Sequence, residues 1–131
     1  MRYKRPDQKN AASIFEAAQR EMQYTMTLPV NLAAGPTIIR NIYEAFRMLG
    51  DALLIAEGKK ADDHIAAMQA LTHVQVQTSR PVSLIDNLRR LRHNINYYGY
   101  IPSLPEIDDT VSLAKTVFVP LVKAIRKLKH F

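Results

Sequence analysis

Cysteine does not occur in the 131 residues, and only four glycines do. The missing thiol excludes disulfides, thiolate zinc sites, iron–sulfur clusters and a cysteine nucleophile. Gly35, Gly50, Gly58 and Gly99 are too scattered for a phosphate-cradling loop, so neither a P-loop nor a dinucleotide fingerprint is present. No long uncharged apolar run appears, and Met1 to Asn10 is charged rather than apolar. That pattern predicts neither a membrane span nor a signal peptide, and it makes a cytoplasmic location the default expectation. No stretch sustains two-residue alternation; Val74-Gln-Val-Gln77 alternates but is too short to build a sheet. Repeats, heptad arrays and low-complexity segments are missing as well.

Of what is present, 47% is hydrophobic, too much for intrinsic disorder. The length matches one domain, residues 1–131, able to stand on an ordinary apolar core. Eighteen Lys and Arg against twelve Asp and Glu give a formal charge of +6 and a sequence pI near 9.7. Such a balance permits an anionic partner such as RNA or a nucleotide; a solvated basic surface explains it equally well.

The periodicity is helical throughout. Ile14, Phe15, Ala18 and Met22 predict a first helix over about 11–26. A second opens at Pro36 or Thr37, carries a long stripe from Ile38 to Leu54, and stops at Gly58. Asp62 and Asp63 open a third, through Ile65, Met68 and Leu71. A fourth has Ser79 as N-cap and Pro81 just inside, buries Leu84, Leu88, Leu91, Ile95 and Tyr98, and ends at Gly99. The fifth starts at a capping box, Ser103-Leu-Pro-Glu106, with a kink or break expected near Val117 because of Pro120. The fold class is therefore all-α, an up-and-down bundle of four to five helices.

The chemistry concentrates in the fourth helix. At about 100° per residue, Arg89, Arg92, His93 and Asn96 form one polar stripe, with Arg92 and Asn96 nearest the core face. A guanidinium, an imidazole and a carboxamide are then within reach of one anion, and Arg92 and Asn96 are expected to share a hollow that receives it. Tyr97, Tyr98 and Tyr100 follow, with faces on which bases can stack. Ordinary solvated arginines, a surface histidine and a capping asparagine account for the same letters.

The segment Leu91-Arg-His-Asn-Ile-Asn-Tyr-Tyr-Gly99, near the end of the fourth helix of a short helical domain, resembles the HEPN superfamily. The resemblance implies an up-and-down bundle of four to five helices, usually a homodimer. Many members are metal-independent RNases, and many pair with minimal nucleotidyltransferases in toxin–antitoxin systems. It implies Arg92 as the motif arginine and His93 as the polar residue after it. Where the family's histidine often stands, this chain has Tyr97, and a tyrosine near pKa 10 is a poor base at neutral pH. Three functions stay open on this reading. One is RNA or nucleotide binding, with Arg92 on phosphate, Asn96 orienting it or a ribose hydroxyl, Tyr97 and Tyr98 packing or stacking, and Arg89 and His93 as a basic rim. Another is a metal-independent endoribonuclease in which Arg92, His93, Asn96 and Tyr97 form the catalytic set. The last is an interaction module that docks a partner such as a nucleotidyltransferase.

Other constellations are weaker. Asp62-Asp-His64 reads as a helix start sooner than a metal site, and His64 and His73 are too far apart for one helical metal pair. Asp108 and Asp109 have the same capping explanation, and the basic end, Lys123 to His130, suits a helix C-terminus. No metal and no cofactor are expected.

Overall fold

The computed structural model describes residues 2–3, 5–60 and 64–131. Among them five α-helices follow one another: α1 (Gln8–Thr25), α2 (Gly35–Ala56), α3 (His64–Thr72), α4 (Asp86–Tyr98) and α5 (Leu104–Lys129). A 3-10 turn, Val82–Ile85, leads into α4. Strand β1 (Arg2–Tyr3) pairs antiparallel with β2 (Lys59–Lys60), two residues each, an addition the alternation pattern did not signal. The architecture is an all-helical bundle.

Helix α2 is its axis, packed against α1, α3, α4 and α5. Twelve of its residues are buried, among them Ile38, Ile39, Ile42, Phe46 and Leu49, so it is apolar around most of its circumference. Each large aliphatic or aromatic side chain buried there contributes about 1.5–3 kcal/mol. That outweighs the cost of a β-branched isoleucine in a helix, at most about 0.7 kcal/mol. Pro36 stands in the first turn of α2, and Gly58, at φ 73°, turns the chain just past its end, as the sequence predicts. Against α2 lie Phe15, Ala18 and Met22 of α1, Met68 and Leu71 of α3, and Val117, Leu121 and Ile125 of α5. Gly50 allows the closest approach: a Cβ there would come within 2.2 Å of the Ala67 carbonyl oxygen on α3.

Four boundaries or faces differ from expectation. Helix α1 starts at Gln8 because the Asp7 carboxylate accepts the Asn10 N–H at 3.0 Å, a cap placed earlier than the apolar pattern. Ser79 does not cap α4. Thr78 donates to the Arg80 carbonyl, and the Arg80 guanidinium reaches the Asp109 carboxylate (3.0 Å) and carbonyl (3.2 Å). Residues 78–81 are thereby tied to α5, and the chain coils only after Pro81, which is extended at ψ 135°. Tyr98, expected in the core, is exposed, because α4 runs past the end of its apolar floor after Ile95; Ile85 is buried where Leu84 was expected to be. Helix α5 does not break near Val117. Pro120 removes the N–H that the Thr116 carbonyl would accept. Val117 and Phe118 before it, and Leu121, Val122 and Ile125 after it, are all buried and hold both halves on the core. Asp62 and Asp63, expected to open α3, lie outside the described residues.

Candidate nucleic-acid interface

Leu88 and Ile95, buried on α4, anchor that helix against α2 and set which side chains stand at the seam. Two contacts cross it, one turn apart. The Arg92 guanidinium lies over the Tyr43 ring, 5.3 Å from its centroid. Next along, the Asn96 carboxamide oxygen accepts from Arg40 Nε at 2.8 Å. Arg40 and Tyr43 are three residues apart on α2, Arg92 and Asn96 four apart on α4, so each pair shares a helix face. Arg92 and Asn96 are thus brought together along one exposed seam, each turned onto α2. A cavity of about 630 Å³ lies elsewhere, between α1 and α5, and smaller ones lie at α4/α5 and near the end of α2. Arg92 and Asn96 line none of these.

Charge at the seam is uneven. Arg40, Arg90 and Arg92 have no carboxylate partner among the described residues, whereas Arg89 pairs loosely with Asp86 at 3.5 Å. Arg47 on α2 is held by both Glu44 and Asp51, and its hydrogen bond to Glu44 pushes its pKa up. Burial raises the pKa of Tyr43, against the opposing pull of Arg92, Arg47 and Arg89. The Arg92 guanidinium therefore lies over a neutral phenol.

The outer edge of the same helix is aromatic. His93 stacks on Tyr97, with centroids 4.7 Å apart at 40°, and meets Tyr98 edge-on at 5.7 Å. Tyr97 is 68% exposed, Tyr98 76% and the neighbouring Ile101 71%. Gly99, at φ 62°, ends α4; its N–H and that of Tyr100 both reach the Asn94 carbonyl. The following turn is fixed by the capping box the sequence predicts. Ser103 Oγ accepts the Glu106 N–H at 3.3 Å, and Glu106 Oε1 accepts the Ser103 N–H at 2.9 Å and the Tyr100 hydroxyl. The bond from Ser103, then that from Tyr100, holds the Glu106 carboxyl below the usual carboxylate range, and the same contact raises the Tyr100 phenol.

On α4, Arg92 and Asn96 are thus turned onto α2, Arg89 pairs with Asp86 one turn before Arg92, and His93, Tyr97 and Tyr98 form an exposed ring cluster at the helix end. Sequence reasoning missed Arg40 and Tyr43. Tyr43 sits within the apolar stripe of α2, where periodicity marks a core face, Arg40 is an exposed position beside that stripe, and nothing local announces a partner fifty residues away. Among the described residues, no three of His, Asp and Glu stand close enough to hold a metal ion. No helix among them is long and apolar enough to cross a membrane. Compared with protein-family models, with curated proteins and with solved structures, the chain matches none, so its function is argued from the geometry of this face.

Proposed function

We propose that the chain is a HEPN-like helical domain that binds RNA or a nucleotide on the exposed face of α4. One observation carries this reading: a ring cluster of His93, Tyr97 and Tyr98 stands in solvent beside arginines that lack carboxylate partners among the described residues. Stacking a base on an aromatic ring contributes about 1–3 kcal/mol, and guanidinia bind phosphate oxygens with charge-assisted hydrogen bonds. Rings on one edge and cations on the other match the two ends of a nucleotide. Arg92 takes the phosphate, Arg40 and Arg89 lie beside it, and the free NH2 of Asn96 reaches a ribose hydroxyl or phosphate oxygen. Tyr97 and Tyr98 stack. Unpaired bases are needed for that stacking, so single strands are preferred to duplexes.

The test is a titration of fluorescein-labelled single-stranded oligouridylate, followed by anisotropy, with the wild type and with Tyr97→Ala, Tyr98→Ala and Arg92→Ala. Each tyrosine variant is expected to weaken binding by about 5- to 100-fold, since both rings are solvent-facing and leave the core intact. Unchanged affinity in both tyrosine variants rejects the proposal. The endoribonuclease reading draws on one feature, the solvent-facing His93 ring packed on Tyr97, which would act as acid or base. RNA left intact by the folded protein in EDTA removes that reading without touching the binding one. Homodimerisation and a nucleotidyltransferase partner belong to the same proposal; light scattering and co-purification test them.

A further inference from the structure

A trough of about 630 Å³ runs between α1 and α5, on a part of the surface the nucleic-acid proposal does not use. Met22 of α1, Met26 just past its end, and Phe118, Val119 and Val122 of α5 form its apolar floor. The two helices run antiparallel here, and one end is clasped: the Arg126 guanidinium donates to Gln19 at 3.2 Å, lies within 3.4 Å of the Glu16 carboxylate and covers the Phe15 ring at 5.0 Å. From Arg126 back to Lys115, α5 rises about 16 Å at helical spacing, the length of three helical turns. Val119 stands midway along that stretch and is 53% exposed. Methionine side chains adapt their shape to whatever apolar surface meets them.

The rim decides what fits. Lys115 and Lys123 flank Val119 at four residues on either side and line the trough. They make no ion pair among the described residues. The opposite rim is Gln19 and Gln23, uncharged, and the acidic residue at this edge, Glu16, is already taken by Arg126. A second copy laying its own trough here would set lysines against lysines, in a chain already carrying +6. We infer that the trough between α1 and α5 docks an amphipathic helix of an acidic partner protein. Its apolar stripe lies on Met22, Met26, Phe118 and Val119, and carboxylates spaced two turns apart along one flank meet Lys115 and Lys123. The asymmetry of the rims, cationic on α5 and neutral on α1, fixes which flank of the incoming helix is acidic.

Two fluorescein-labelled synthetic peptides test this, both with leucines on one helical face, one with glutamates and the other with lysines along the flank. The glutamate peptide is expected to bind about tenfold or more tightly than the lysine peptide, and less so at high salt. Reversing both charges, Lys115→Glu with Lys123→Glu, should invert the preference, and Val119→Asp should abolish binding of both peptides. These positions face solvent, and circular dichroism checks that each variant keeps its helix content. Equal binding of the two peptides, or binding that survives Val119→Asp, overturns the inference. A concentration-dependent dimer in sedimentation that Val119→Asp dissolves would assign the trough to a second copy and overturn it as well.

Discussion

Two polar side chains of α4 each meet a side chain of α2: Arg92 the Tyr43 ring, Asn96 the Arg40 guanidinium. A cation over an aromatic face is held by the ring's quadrupole for about 0.5–2 kcal/mol, with no carboxylate to neutralise it. That leaves the N–H groups of Arg92 available to an anion, which a salt bridge would have consumed. Glu106 plays the opposite part, spending its acceptors on Ser103 and Tyr100 to fix the turn that follows α4. Its carboxyl is held below its ordinary value, so ionised Glu106 stabilises the fold above the unfolded-state pKa, and the contribution is lost as pH falls through the lowered one. Glu106→Gln keeps the shape but not the titration. Urea midpoints taken at neutral pH and near about pH 3 should fall further for the wild type than for Glu106→Gln. An identical fall in both proteins would contradict this account of the cap.

At the scale of elements, α2 shows how far the pattern of apolar residues reaches. Its long stripe, the proline in its first turn and the glycine after its end were legible because three independent signals agreed. The same holds for the Ser103–Glu106 capping box, where spacing alone specifies reciprocal bonds. The start of α4 was not legible, because the competitor of a Ser79 cap is Asp109, distant in sequence, drawing Arg80 and its neighbours onto α5. Nor was the continuity of α5: of the kink or break that Pro120 leads one to expect, the break is prevented by burial on both sides of it. Tyr98 follows the core period yet lies outside the core, since periodicity gives an angle around the helix and not where the floor beneath it ends. The α2–α3 crossing supplies a test at this scale. Gly50→Ala improves helix propensity by about 1 kcal/mol but drives a methyl into the Ala67 carbonyl, so the helices must part. The net expectation is a loss of about 2 kcal/mol in chemical denaturation, and a more stable variant would show that this packing is looser than described.

Across the whole molecule, the bundle carries two distinct exposed features. One is the α4 face, cationic along the α2 seam and aromatic outside it; the other is the apolar trough between α1 and α5 with its lysine rim. On the first, the sequence named Arg89, Arg92, His93, Asn96, Tyr97 and Tyr98 because all belong to one helix, whose geometry is known from spacing alone. Arg40 and Tyr43 escaped it because they arrive by tertiary packing. A net charge of +6 supports attraction of a polyanion from a distance but does not choose where it lands. The choice is testable in a single spectrum. Isotope-labelled protein titrated with single-stranded oligouridylate should shift the amide and ring resonances of Arg40, Arg92, His93, Asn96, Tyr97 and Tyr98, and leave Val119 and Lys123 unmoved. Shifts confined to the trough, or scattered over every basic helix end with the tyrosines silent, would contradict the assignment of nucleic-acid binding to α4.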